Sequence, residues 1–106
     1  MPKYLIQAAY TAEGLRGLQK DTASGRREAV SQMMKSAGGS LECFYYAFGA
    51  EDLVAIADAP DNVAISAISI AASSVGLVRT RITPLLTVQE VDAALKKSVA
   101  YRAPGR

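Results

Sequence analysis

The chain has 106 residues, no histidine, no tryptophan, one cysteine and a formal net charge of +2. Without histidine it has no Ser-His-Asp triad, Cys-His dyad, His-ligated zinc or imidazole shuttle, so acid–base chemistry falls to Asp, Glu, Tyr, Lys, water or the substrate. Half of its residues are hydrophobic and 21% are charged, a balance that suits one globular domain and excludes a disordered or strongly basic chain.

Residues 3–10, Lys-Tyr-Leu-Ile-Gln-Ala-Ala-Tyr, predict a first strand. Thr11 can cap a following helix, with Glu13 in the first turn where the helix dipole favours a negative charge. Gly14 and Gly17 weaken that start by roughly 1 kcal/mol each relative to Ala. From Leu15 to Ala37 apolar residues recur at helical spacing, interrupted by Asp21-Thr-Ala-Ser-Gly25. That interruption predicts a kink, with Ser24 as the candidate cap of the second half, and Gly38-Gly39 ends the helix.

Leu41 to Phe48 and Leu53 to Ala59 predict two further strands, joined by the turn Gly49-Ala-Glu-Asp52 in a hairpin. Pro60-Asp61-Asn62 stops the second of these and caps a helix from Val63 to Val75, followed by Gly76. That helix is apolar on most sides, which predicts that it is largely buried. Leu77 to Thr83 is a fourth strand closed by Pro84, and Thr87-Val-Gln-Glu90 is a capping box for a last helix through Lys97. Residues 1–98 are read as one domain and 99–106 as a tail.

The order β-α-β-β-α-β plus a terminal helix is the split βαβ, or ferredoxin-like, α+β arrangement. Right-handed crossovers are expected to set strands one and three, and one and four, side by side in parallel. Both helices then lie on one face. Alternation places Tyr4, Ile6, Ala8 and Tyr10 on one side of strand one, and Leu5, Gln7 and Ala9 on the other. In strand two it sets Leu41, Cys43, Tyr45 and Ala47 against Glu42, Phe44, Tyr46 and Phe48. In strand three it sets Leu53, Ala55, Ala57 and Ala59 against Val54, Ile56 and Asp58. Apolar residues on both sides of each strand predict a sheet with no wet face. A second copy packed face to face about a twofold axis is the expected cover, as a homodimer or a higher oligomer of dimers; the alternative is a monomer whose terminal helix folds over the open face.

The charge is evenly spread: residues 1–53 carry six basic and six acidic side chains, and residues 54–106 carry six and four. No basic stripe is present, so nucleic acid is not expected as a partner. Cys43 stands alone, which excludes an intrachain disulfide and suits a reducing cytoplasm. The longest uncharged stretch, Asn62 to Val78, contains four serines and falls short of the ~20 residues that span a bilayer, so no membrane partner is expected.

A series of motifs resembles the GYD domain family, small bacterial proteins of the dimeric α/β-barrel class. It comprises Tyr4-Leu-Ile-Gln with Thr11-Ala-Glu-Gly14, and Gly38-Gly39 before Phe44-Tyr45. Phe48-Gly-Ala-Glu-Asp52 followed by Leu-Val-Ala-Ile, Pro60-Asp61 before an Ala-rich helix, and Gly76-Leu-Val-Arg-Thr-Arg81 complete it. Gly49 and Asp52 match the family's Gly-Tyr-Asp signature, while Glu51 stands where its tyrosine is expected. The resemblance implies a ferredoxin-like homodimer and carries no established activity. Cofactor-independent oxygenases, isomerases and haem-handling proteins share the barrel as an analogy of fold only.

The candidate ligand-binding residues are Tyr10, Tyr45, Asp52, Arg79 and Arg81. Asp52 or Glu51 has the chemistry of a general base at a cleft rim. Its structural alternative is a hairpin turn in which Gly49 takes a positive φ and Asp52 bonds turn amides. Arg79 and Arg81, two apart on a strand, share a face and suit a carboxylate or phosphate, or else pair with acids such as Glu42 or Asp58. Tyr10, Tyr45 and Tyr46 fit core, interface or pocket wall. Cys43 reads as an inert thiol, Arg26-Arg27-Glu28 as a solvated helix face, and Gly14-Leu-Arg-Gly17 lacks the spacing of a phosphate loop. No cofactor and no metal is predicted. The expected function is a small cytoplasmic homodimer that binds an apolar or anionic molecule between sheet and helices. A cofactor-independent enzyme of oxygenase or isomerase type, and a structural adaptor, are the alternatives.

Overall fold

A computed structural model describes residues 1–106. The elements are β1 (Lys3–Tyr10), α1 (Ala12–Ser36), β2 (Ser40–Tyr46), β3 (Leu53–Asp58), α2 (Asn62–Ser74), β4 (Val78–Leu85) and α3 (Val88–Leu95). The strands form one sheet in the order β2-β3-β1-β4. Every neighbouring pair is antiparallel, which corrects the expectation that β1 runs parallel to β3 and to β4. Each crossover does join parallel strands in space, but β1 and β2 are kept apart by β3 inserting between them.

Local chemistry sets the helix ends. The Thr11 side chain accepts from the Gly14 amide, Asp61 from the Ala64 amide, and Thr87 with Glu90 closes a full capping box. Helix α1 is kinked inside the expected segment, at Thr22 with φ of 71°, a conformation that costs a β-branched residue of the order of 1–3 kcal/mol. The cap after the kink is Thr22, whose Oγ1 accepts from the Gly25 amide at 3.2 Å, and not Ser24. Strand β2 ends at Tyr46, short of the expected Phe48, and the Ala47 amide donates to the Asp52 carbonyl at 2.9 Å across the mouth of the turn. Strand β4 continues through Pro84 to Leu85, as an edge strand can lose one donor on its open side.

Helices α1 and α2 cover one face of the sheet, α1 over β2 and β1, and α2 over β4. Tyr4, Ile6 and Ala8 of β1 and Leu53, Ala55 and Ala57 of β3 point into this layer with Met34, Ile65 and Ile68 from the helices. The buried Tyr4 hydroxyl is satisfied by Asn62 Oδ1 at 2.7 Å. In β2 a bulge between Leu41 and Cys43 shifts the register, so Leu41 faces Ala57 and Phe44 faces Ala55. Leu41, Phe44 and Tyr46 therefore share the helix side, while Cys43 and Tyr45 lie opposite Ile56 and Val54 on the far side. This corrects the strict alternation expected for β2; one extra residue inverts every side chain beyond it.

The far face carries Leu5, Gln7, Ala9, Val54, Ile56, Tyr45, Arg79 and Arg81, and none of its residues is fully buried. Helix α3 does not cover it: α3 makes no substantial contact with any other element and buries none of its residues. Nor is α2 largely buried as expected. Only Ile65 and Ile68 are, while Val63 and Ile70 are exposed. The accessible surface is 7485 Å², about 1,800 Å² more than a compact monomer of this mass exposes. The radius of gyration is 17.0 Å, against roughly 13 Å for a compact chain of this length.

Candidate functional site

Between α1 and α2 the helix layer is open. The sheet beneath presents small side chains, Ala8 and Ala55, where larger ones would fill the gap, and the two helices make no substantial contact across it. The result is a cleft of about 300 Å³, at the small end of ligand pockets. Ile6, Leu53 and Ile82 extend its floor, Val30, Met33 and Met34 form the α1 wall, and Ile68, Ala72 and Val75 form the α2 side. Fifteen of the twenty-one lining residues are hydrophobic.

The polar members of the lining are few and identifiable. Ser69 Oγ and Thr80 Oγ1 lie 2.7 Å apart and satisfy each other, with Ser73 Oγ at 3.2 Å from Thr80. Tyr10 closes one end of the cleft and Gly14 and Gly17 contribute α1 backbone. Arg26 and Asp21 come from either side of the kink, with Nη1 and Oδ2 separated by 3.6 Å. Beside them the Tyr46 hydroxyl donates to the Ala23 carbonyl at 3.0 Å. Partial burial, then the neighbouring Tyr10, push the Tyr46 phenol above its ordinary value, against the opposing pull of Arg26 and Arg27.

The five sequence-selected residues are divided among three places. Tyr10 alone lines the cleft. Tyr45, Arg79 and Arg81 stand exposed on the opposite face of the sheet. There Arg81 Nη1 donates to Glu51 Oε1 at 2.7 Å. Glu42 and Asp58, the acids expected near the arginines, are taken by Lys3, whose Nζ lies 2.7 Å from Glu42 and 3.0 Å from Asp58. Asp52 occupies the turn, where Oδ2 accepts from the Tyr10 amide at 2.8 Å. Gly49 in the same turn does not use a positive φ, contrary to the structural alternative read from the sequence.

Sequence reading placed Arg26 on a solvated helix face and gave no role to Ser69 or Thr80. The available signal was the interruption at Asp21–Gly25: a kink in a helix changes which side chains after it face the sheet. No cluster of three or more Cys, Asp or Glu side chains has metal-site geometry. No helix is long and apolar enough to cross a membrane.

An antiparallel four-stranded sheet in βαββαβ order with both crossover helices on one face defines the ferredoxin-like class of α+β domains. Within that class the chain belongs to the GYD domain family, whose model matches residues 4–95. No curated protein and no solved structure matches the chain.

Proposed function

We propose that this GYD domain protein acts as a homodimer that binds a small, mainly apolar molecule in the cleft between its sheet and its helices. The observation that carries the reading is the cleft itself: an apolar space of about 300 Å³ floored by Ala8 and Ala55, in which the Ser69 and Thr80 hydroxyls already pair with each other. Apolar walls reward the transfer of hydrocarbon out of water at about 25 cal/mol per Å².

The dimer rests on area. The excess of about 1,800 Å² over a compact monomer exceeds the ~800 Å² per partner that a stable interface requires. A second copy fits the far face because one chain offers both an uncovered sheet and an unpacked helix. Val88, Val91 and Leu95 make an exposed stripe on α3, and an isolated helix of eight residues gains too little to persist without a surface to pack on.

Binding of the neutral fluorophore Nile red tests the cleft. Saturable binding by the parent protein is expected. Gly17→Leu places a side chain where a Cβ has open space at the cleft wall, and it is expected to abolish binding while improving helix propensity. Equal binding by the parent and Gly17→Leu removes the cleft as the site, and no binding by either favours an adaptor whose surfaces serve assembly alone.

A further inference from the structure

We infer that the molecule taken by the cleft is an amphipathic monocarboxylate, its hydrocarbon against the α1 and α2 walls and its carboxylate on the Arg26 guanidinium. The inference rests on the cleft being the binding site and adds the chemistry of what occupies it.

Arg26 is the one cationic side chain that lines the cleft. The other cations with acidic partners are engaged on the opposite face: Arg81 with Glu51 at 2.7 Å and Lys3 with Glu42 and Asp58 at 2.7 and 3.0 Å. Arg26 differs from those two in having no hydrogen-bond acceptor for its guanidinium. Its nearest acid, Asp21, is 3.6 Å away, well beyond the ~2.8 Å of a charge-assisted hydrogen bond. The guanidinium is thus held at the rim of an apolar space in a loose ion pair with Asp21 and with no hydrogen bond on its planar fork, a fork that matches a carboxylate in shape as well as sign.

Position and charge narrow the class further. Arg26 lies just after the kink, where the Thr22 cap on the Gly25 amide starts the second segment of α1. From the rim, the walls continue inward through Val30 and Met34 to Ile68 without another charge. A ligand with an anionic head and a hydrocarbon tail satisfies both environments at once, and a wholly polar anion satisfies only the first. Asp21 sets the charge number. Its carboxylate beside Arg26 repels a second negative charge, so a singly charged head is favoured over a phosphate monoester.

The test uses a matched set of eight-carbon probes, octanoate, 1-octanol and octyl phosphate, competing with Nile red on the full-length protein. Octanoate is expected to displace the dye about tenfold more tightly than 1-octanol or octyl phosphate. Arg26→Gln is expected to weaken octanoate about tenfold and leave 1-octanol unchanged, with its melting temperature showing that the fold is intact. Asp21→Asn, which removes the competing acid, is expected to tighten octanoate and to narrow the gap to octyl phosphate. If octanoate and 1-octanol compete equally, or Arg26→Gln binds octanoate as the parent does, the carboxylate assignment is overturned while the cleft stands. If Nile red itself fails to bind, the cleft reading falls first.

Discussion

The Asp52 carboxylate accepts a hydrogen bond from the Tyr10 backbone amide at 2.8 Å, tying the turn before β3 to the last residue of β1. The Asp52 backbone reinforces the tie: its amide donates to the Ala8 carbonyl at 2.8 Å and its carbonyl accepts from Ala47 at 2.9 Å. One residue thus joins the β2–β3 turn to the neighbouring strand just where β1 hands over to α1. The second acid of the Gly-Ala-Glu-Asp turn acts here as a lock on backbone geometry.

Asp52→Ala is therefore expected to lose about 1.5–3 kcal/mol, the range for a hydrogen bond to a charged group. Thermal melting should show it as a fall of about 6–24 °C. Asp52→Asn retains an acceptor oxygen and should lose less. A melting temperature unchanged in Asp52→Ala would remove the structural role and return the residue to the list of chemical candidates.

The two glycines in the first turns of α1 are equivalent in propensity and opposite in context. A Cβ at Gly14 would overlap the Leu77 carbonyl oxygen, the same oxygen that accepts from the Thr11 amide at 3.0 Å. A Cβ at Gly17 meets nothing within 4 Å. Gly14→Ala is expected to destabilise by about 1–3 kcal/mol through forced displacement of α1. Gly17→Ala should stabilise by close to 1 kcal/mol through helix propensity. Urea denaturation of the two variants in parallel checks both signs.

Alkaline titration addresses Tyr46. Its folded pKa lies above the ordinary 10.0 because the partly buried phenol is favoured neutral. The unfolded chain consequently releases this proton first, so the stabilising contribution is complete below pH 10.0 and is lost as pH rises through the folded value. Tyr46→Phe should flatten the fall in melting temperature above pH 10.0. In an ultraviolet titration it should also remove a tyrosine component that ionises above pH 10.0.

The open sheet face gives the fourth prediction. Light scattering should find the parent at twice the 11.2 kDa mass of one chain. Ile56→Asp, at the centre of that face beside Leu5 and Cys43, should shift it to the single-chain mass without loss of circular dichroism. An unpaired carboxylate has no tolerable place between two apolar sheets. A parent protein that runs as a single chain at micromolar concentration removes the homodimer.

Element order, the α1 kink and the caps at Thr11, Asp61 and Thr87 were legible in the residues, because a cap or a breaker acts within one turn of chain; the cap after the kink was not, since Thr22 and not Ser24 fills it. Thr87 and Glu90 sit three apart and bond only to each other's backbone, so nothing distant is needed to read them. The β2 faces were not legible. The bulge at Leu41–Cys43 exists only against β3, and it reverses which of Phe44 and Tyr45 meets the helices. The direction of neighbouring strands failed for a similar reason, since β3 enters between the strands that the first crossover joins. The candidate residues fared by the range of their interactions: Tyr10 follows from its strand into the cleft, whereas Arg26 reaches it only because α1 bends at Thr22.

By itself the sequence determined a βαββαβα chain with capped helices, no imidazole chemistry and more apolar strand surface than two helices can cover. Tertiary structure alone decided that Ala8 and Ala55, far apart in the chain, lie on neighbouring strands under a gap between helices, and that Arg26 stands at its rim. Periodicity and capping are summed over a few consecutive residues. A cavity is the space left when distant side chains fail to fill one place, and no local pattern records that.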